Sequence, residues 1–558
     1  MNRYRNGRFG VLIGLLVLLL TGYRASAHVG SAGVVVQKQA GRYTLLVSVQ
    51  PPDVVPGTAK VTVFVEQGRV AQIGARPVYF LSGDEGAPTH DALVRQPDGS
   101  FAGDLWLMSS GSSSVELSID GPDGRQKLVV PVVSVATALR DMPAGTGMGL
   151  AAMGLLLVAM LVTIVGASNA DGVFRSGQAT PTQLRRRRLA GMGVGLVLIT
   201  LIMTGWRSWW TSTATRYRQE QLYQKPALLT TVQPTTAGGQ PGRQLLMQID
   251  TTRFGERRQL RRPLSFMIPD HGKLMHTFLV RTPGLDAFAH LHPTRLDSVR
   301  YTTGLPPLPA GRYLLYSDVV YRSGFSETLT DTIDLPAPQS GHIALADADD
   351  SWLITASQRA AANTRPLPYL DNTMVSCGKP GASAPLADGA TMVWMDKPAA
   401  VLEADRPYIL KFAVADSSGR ATALQPYLGM SGHGVILRND GSVYIHLHPV
   451  GTYSMAAEQS FVNRLADTTR QFHYPDANRF RDSIDRYVAR LKTLPEAQKN
   501  RQLAAAMPAM RHAMPVNNLV SFPYSFPRAG RYRIWVQVKR QGRVLTGVFD
   551  TDVNDPLL

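Results

Sequence analysis

Cysteine is nearly missing: Cys377 stands alone in 558 residues. One thiol cannot close an intrachain disulfide, although an exported chain would be free to form one. Cys377 is therefore read as a small buried side chain, with metal binding or pairing between chains as its other uses. Catalytic signatures are missing too. There is no H-E-x-x-H, no G-x-S-x-G, no P-loop and no G-x-G-x-x-G opening a helix. A metallohydrolase built on H-x-H would add carboxylate ligands and a general base in a larger α/β frame, so the chain reads as not an enzyme. Acidic residues are also few, 41 against 58 Lys and Arg, for a net charge of +17. Nucleic acid would suit that charge, but an exported chain seldom meets it; attraction to anionic envelope surfaces is the better physical reading.

Export is inferred from the first 27 residues. A basic start, "MNRYRNGRF", precedes the apolar "VLIGLLVLLL" and the small-x-small site Ala25, Ser26, Ala27, the pattern of a signal peptide. An uncleaved anchor is the alternative. Cleavage would leave His28 as the first residue. Two longer apolar runs follow, 145–167 and 189–206, each without charge and each suited to crossing ~30 Å of hydrocarbon. The second ends in Trp206, Trp209 and Trp210, placed like an interfacial aromatic belt. Between the runs, 168–188 ends in Arg185 to Arg188, which the positive-inside rule places in the cytoplasm. Gly147, Gly149, Gly154, Gly191, Gly193 and Gly195 would let the two helices approach closely. This topology leaves residues 28–138 and everything after the hairpin outside the cytoplasm, with the cytoplasmic (inner) membrane as the anchor and a periplasm as the expected compartment.

The remainder is β-patterned. Residues 28–138 hold about seven short strand-like runs separated by turn signals such as "GPDG", which predicts an immunoglobulin-like sandwich. A linker is expected over 207–240, then a β module over 241–337, a connector over 338–384 and a second β module over 385–555. The last two look like divergent copies. Each has a histidine-bearing strand, an HLHP strand and an "AGRY" turn in the same order, which marks an internal repeat. The second copy carries an insertion at about 455–520, where Phe480, Ile484, Tyr487, Val488 and Leu491 follow the period of an amphipathic helix. The expected fold is mainly β: three immunoglobulin-like β-sandwich modules plus a two-helix transmembrane hairpin.

The HLHP motifs carry the chemistry. On a strand, residues i and i+2 share a face, so His290 and His292 form one pair and His446 and His448 another. Leu291 and Leu447 point the other way, and Pro293 and Pro449 place each pair at a strand end or edge. His276 and His433 could each add a third imidazole through a hairpin. Three imidazoles suit copper, with zinc as the alternative. Met275 and Met430 are thioether candidates for Cu(I). His28 could chelate Cu(II) through its amine and imidazole, with His90 and Asp91 completing that site. Met507, Met510, His512 and Met514 form a soft-ligand segment. "DADDSW" (347–352) lacks the glycine and glutamate of an EF-hand loop and reads as a solvated loop.

The modules carrying "DHGKLMH…FAHLHP" and "PYLGMSGHGVILR…HLHP" resemble the extracytoplasmic β domains called YtkA-like and related modules of bacterial membrane proteins. The export signal followed by His28 is similar to the periplasmic copper-resistance C family, whose mature N-terminal histidine ligates Cu(II); that family's downstream Asp-x-His pair is not found in 28–135. The resemblance implies β-sandwich folds, extracytoplasmic placement and, for His28, copper.

Together these readings describe a membrane-anchored metal-binding protein, copper first, that buffers, delivers or confers resistance to metal. Each trio, His276/His290/His292 and His433/His446/His448, would hold one ion at a sheet edge and exchange it with another envelope protein. The alternative is a non-catalytic envelope interaction or assembly scaffold with structural histidines. A metal-dependent enzyme comes third; a substrate-sized cleft with a carboxylate close to an HLHP pair would revive it.

Overall fold

The structure, a computed structural model, describes residues 33–556 apart from 140–141, 171–180, 221, 238–239, 253–263, 339–346, 357–382, 396–401, 469–470 and 507–517. The leader (1–27), His28, Cys377, Met507, Met510, His512 and Met514 lie outside the described residues.

The fold is mainly β, with five α-helices among the described residues. The N-terminal module runs from the strand Val34–Ala40 to the strand Gln126–Ser134, in a five-stranded and a four-stranded sheet. Alternating apolar residues, mostly β-branched, explain its core: Val47, Val61, Ile73, Val115, Leu117 and Val130 are all fully buried between the two sheets.

Two helices follow, Ala144–Ser168 and Thr182–Glu220, both long and apolar enough to cross a membrane. They run antiparallel and touch near their connected ends, where Gly166 meets Met192, Gly191 meets Asn169 and Gly195 meets Val165. Of the glycines expected at the contact, Gly149, Gly154 and Gly193 face open space and Gly147 meets only Met142, just before its own helix. The second helix is longer than the apolar run. Its 39 residues amount to ~58 Å at 1.5 Å per residue, so it passes through Trp206, Trp209 and Trp210 and continues to Glu220. The linker expected over 207–240 is thus corrected: it continues this helix and then forms the strand Leu228–Ala237, which pairs with Gln240–Ile249. Thr and Val in "LLTTVQPTTA" favour that pleated pairing.

The two histidine modules repeat one topology. In the first, His276–Arg281 pairs with Ala287–Leu291 on one side and Gly311–Tyr321 on the other, and Gly311–Tyr321 pairs with Ser326–Leu335. In the second, His433–Arg438 pairs with Tyr444–Leu447 and Gly530–Arg540, and Gly530–Arg540 pairs with Arg543–Asn554. Even the turn before each leading strand is repeated. His271 and Leu428 have φ of 49° and 50°, each followed by a glycine, Gly272 and Gly429, with positive φ. A positive φ is uncommon outside glycine, so its recurrence at matched positions ties the copies together.

The modules pack sheet to sheet. Leu291 points into the core of its own module and Leu447 into the other. The opposite faces meet in a largely aromatic layer of Phe278, Phe288, Tyr316, Tyr444 and Trp535, with Val435 among them. Phe288 stacks on Trp535 at 5.0 Å and Tyr316 on Tyr444 at 4.1 Å. By register, Phe288 corresponds to Tyr444 and Tyr316 to Trp535, so the two stacks are one contact made twice around a pseudo-twofold.

Among its described residues the insertion contains three helices, Met455–Ala466, Ala477–Thr493 and Glu496–Ala506. Ser454 and Asp476 cap the first two, accepting from the amides of Ala457 and Arg479. The periodic face of Ala477–Thr493 divides: Ile484 and Val488 pack on the first histidine module, while Tyr487 and Leu491 join the core shared with the N-terminal module. Leu491 and Leu503 close over Gly272, where an added Cβ would lie 3.0 Å from Leu491. The N-terminal module also docks here. Gln37 donates its amide to the Val450 carbonyl at 3.0 Å, Thr452 donates to Val35, and Lys38 pairs with Glu458.

Candidate metal centre

The histidine faces come together at one end of this interface. His276, His290, His292, His433, His446 and His448 are all buried, and His271 joins them from the repeated turn. Register explains the arrangement within each module. Thr277 pairs with Leu291 and Gly434 with Leu447, so His276 stands opposite His292 and His433 opposite His448.

The expectation of two sites, each at a sheet edge, is corrected. The first HLHP strand is not at an edge, because Ser351–Ile354 pairs along its other side. The second is an edge strand, but its histidines face the other module. Alternation directs Leu291 and Leu447 inward and leaves the imidazoles on the face that the partner module covers. The groupings change as well. His276, His290 and His292 offer ligand atoms within 4.8 Å of one another, and so do His271, His433 and His448. His271 takes the place expected for His446. A third group joins His292 with Asp347 and Asp350.

The outer nitrogens are held by protein. His290 Nδ1 lies 2.8 Å from Gln537 Oε1, His276 Nε2 lies 3.2 Å from the Asp270 carbonyl, and His448 Nδ1 lies 2.9 Å from the Tyr453 carbonyl. His292 Nδ1 lies 2.8 Å from Asp350, and His446 Nδ1 lies 3.4 Å from Asp318. An oxygen acceptor requires N–H, so each neutral ring presents a lone pair on its other nitrogen. His276 Nδ1 and His290 Nε2 then face one another as lone pairs at 3.2 Å. Two nitrogens bonded to one ion at ~2 Å sit about that far apart. His292 Nε2, His446 Nε2, His271 Nδ1 and both ring nitrogens of His433 are buried without a hydrogen-bond partner among the described residues.

Burial and the neighbouring imidazoles hold His271, His276, His290, His433 and His446 well below the usual histidine range; burial also lowers His448. The rings are therefore neutral at pH 7, the form that binds metal. Acids surround them. Burial pushes Asp318 up to about 6 and also raises Asp270. Burial acts in the same direction on Asp349, but Lys273, Lys499 and Lys539 nearby hold it well below the carboxylate range.

The loop containing Asp347, Asp349 and Asp350 is buried, which corrects its reading as a solvated loop. Lys273 pairs with Asp347 and, at 3.0 Å, with Asp349; Asp350 accepts from the His292 amide at 2.8 Å. Cations and amides compensate the carboxylates that water would otherwise have solvated.

The chamber opens on one side. A cleft of about 820 Å³ is lined by His276, His446, His448, Asp270, Asp318 and Glu327, with the N-terminal module forming part of its wall.

Other candidates lie elsewhere. Met275 is buried in the core of the first module and Met430 in the core shared with the N-terminal module. His90 stands 3.3 Å from Glu116, beside Arg76 and Lys127. Burial lowers its pKa and Arg76 adds to this, and these cations disfavour another. Asp91 is exposed. His271, Asp318, Gln537 and Asp350 are the residues that sequence reasoning missed. His271 had a signal: it precedes Gly272 in the same turn that repeats at Leu428 and Gly429.

Among known proteins, residues 386–474 match a family described as a domain of unknown function (DUF8832). No curated protein matches. Similar solved structures include dimeric latent PorU from Porphyromonas gingivalis (8% identity, TM-score 0.12, covering 94% of this chain and 34% of that one). Chicken CNTN1 FN1–FN3 domains match at 7% identity and TM-score 0.12, covering 94% of this chain and 100% of that one. The chain thus spans about a third of PorU, and at these scores neither likeness carries an argument about fold or function.

Proposed function

We propose that this is a membrane-anchored metal-binding protein, with copper as the preferred ion and zinc as the alternative, serving metal buffering, delivery or resistance. The single observation that carries this reading is the 3.2 Å approach of His276 Nδ1 to His290 Nε2 with the outer nitrogen of each ring facing a carbonyl oxygen, from which we infer a lone pair on both inner nitrogens. Held this way, the two nitrogens cannot hydrogen-bond to each other, and a shared cation relieves their repulsion. Held outer nitrogens are also the usual support for metal-bound histidine. Histidines kept for structure would satisfy both nitrogens when buried, and those of His433 have no partner among the described residues. That contrast weighs against the scaffold alternative.

The rest of the reading follows the chain. The apolar helices form the membrane anchor, and the three β modules are immunoglobulin-like. Residues 35–38, before the helices, bond to residues 450–458, after them. A two-span anchor that leaves both on one side accommodates this contact, and Arg185 to Arg188 favour the extracytoplasmic side for them. The YtkA-like resemblance agrees with that placement.

A second reading, a metal-dependent enzyme, is favoured by the cleft, which brings the Asp318 carboxylate beside His446.

Metal counting tests the proposal. The full chain in detergent is loaded with Cu(II) or Zn(II), dialysed and analysed for bound metal, beside a variant with His290, His292, His446 and His448 changed to alanine. Metal retained by the parent and lost by a folded variant is expected. No metal retained by the parent would overturn it.

A further inference from the structure

The two trios adjoin one another. His276 lies 5.8 Å from His271 and 6.4 Å from His433 between ring centroids, and His290 lies 6.1 Å from His433. His446 belongs to neither trio but sits among them, 5.2 Å from His276, 5.3 Å from His433 and 4.5 Å from His448. Its Nε2 is buried and unpartnered among the described residues. The second trio crosses the interface, taking His433 and His448 from one module and His271 from the other. At the position matching His271, the second module has Leu428.

We infer that the seven histidines build one dinuclear metal centre shared between the modules, in which each trio holds one ion and His446 stands between the two ions. This inference rests on the metal-binding reading above. With metal–nitrogen bonds of ~2 Å and the trios in ring contact, each ion has the other's ligands as its nearest neighbours. Charge balance favours the pair. Lysines already neutralise Asp347 and Asp349, which leaves Asp270, Asp318 and Asp350 against the histidines as compensating carboxylates. The charge of a bound ion dominates such a site, and three carboxylates oppose the repulsion between two cations. Two divalent ions of borderline softness, such as Cu(II), suit this all-imidazole set.

Magnetic resonance of the full chain in detergent, loaded with one and then two equivalents of Cu(II), tests the inference. At two equivalents the integrated spin signal is expected to fall below twice the one-equivalent value, with a half-field transition from coupled spins. His271→Leu, which installs the residue of the matching turn, is expected to retain one copper with an uncoupled signal. Two retained coppers with fully additive, uncoupled signals would overturn the dinuclear centre while leaving metal binding intact. One copper per parent chain would do the same. No retained copper or zinc would remove the metal reading along with it.

Discussion

Asp318 and Gln537 occupy the same register position in the two repeated sheets, opposite His276 and His433 respectively, and each supports a histidine of the other module. Asp318 faces His446 Nδ1 at 3.4 Å, and Gln537 faces His290 Nδ1 at 2.8 Å. The repeat therefore contributes across the interface as well as within each copy. Neither module completes its histidine environment alone.

Substituting Asp318→Asn keeps the shape of this support and removes its charge. Losing the partner of a ligating histidine usually costs 10–100-fold in metal affinity. A fall in copper affinity of about that size is expected in a competition titration against a chromophoric chelator, with the melting temperature little changed. Unchanged affinity would show that His446 is not part of the centre.

Without bound metal, stability should depend on pH in a defined direction. Six of the histidines have folded pKa values below their unfolded value, so the unfolded chain binds more protons and stability rises with pH. Their contribution is fully present above ~6.5 and is lost as pH falls below it. Asp318 and Asp270 have raised values and act oppositely, Asp318 over ~4–6, but two carboxyls oppose six imidazoles. Thermal melts of the metal-free chain from pH 8 to 5 should show a plateau and then a steep decline below about 6.5. A flat profile would contradict the burial of neutral rings.

The aromatic layer should hold the modules together. Trp535 is fully buried and stacks on Phe288. Trp535→Ala removes a large core side chain, for which ~3–5 kcal/mol is the usual cost. Urea unfolding should register a loss in that range, and metal affinity should fall with it because the two histidine faces are no longer held in place. A loss under ~1 kcal/mol would mean that the interface collapses without penalty.

Topology can be checked by labelling. In a Cys377→Ser background, Lys60→Cys and Arg543→Cys place thiols on exposed positions before and after the apolar helices. Both should react with an impermeant maleimide in right-side-out vesicles, whereas Ser176→Cys should react only after lysis. Protection of either Lys60→Cys or Arg543→Cys in intact vesicles would contradict the shared compartment.

How much of this was legible in the sequence depends on the range of each interaction. The pairing of His276 with the HLHP strand follows from period-two alternation and a short turn, both local. Alternation also assigns Leu291 and Leu447 to their own cores. It says nothing about what covers the opposite face, so the meeting of the two histidine faces was not legible. His271 was hidden because a histidine in a turn looks unremarkable until the matching turn at Leu428 shows a repeated backbone. Asp347, Asp349 and Asp350 read as solvated because their cations, Lys273, Lys499 and Lys539, are distant in sequence. The helix to Glu220 outran its apolar stretch because backbone hydrogen bonding continues wherever nothing breaks it.

A crystal structure of the copper-loaded chain, with anomalous difference density collected at the copper edge, would test the central claim most directly. Two peaks are expected between the histidine modules, one within ~2.0–2.1 Å of nitrogens from His276, His290 and His292, the other equally close to His271, His433 and His448. Peaks confined to other parts of the chain, with the seven imidazoles free of metal, would contradict it.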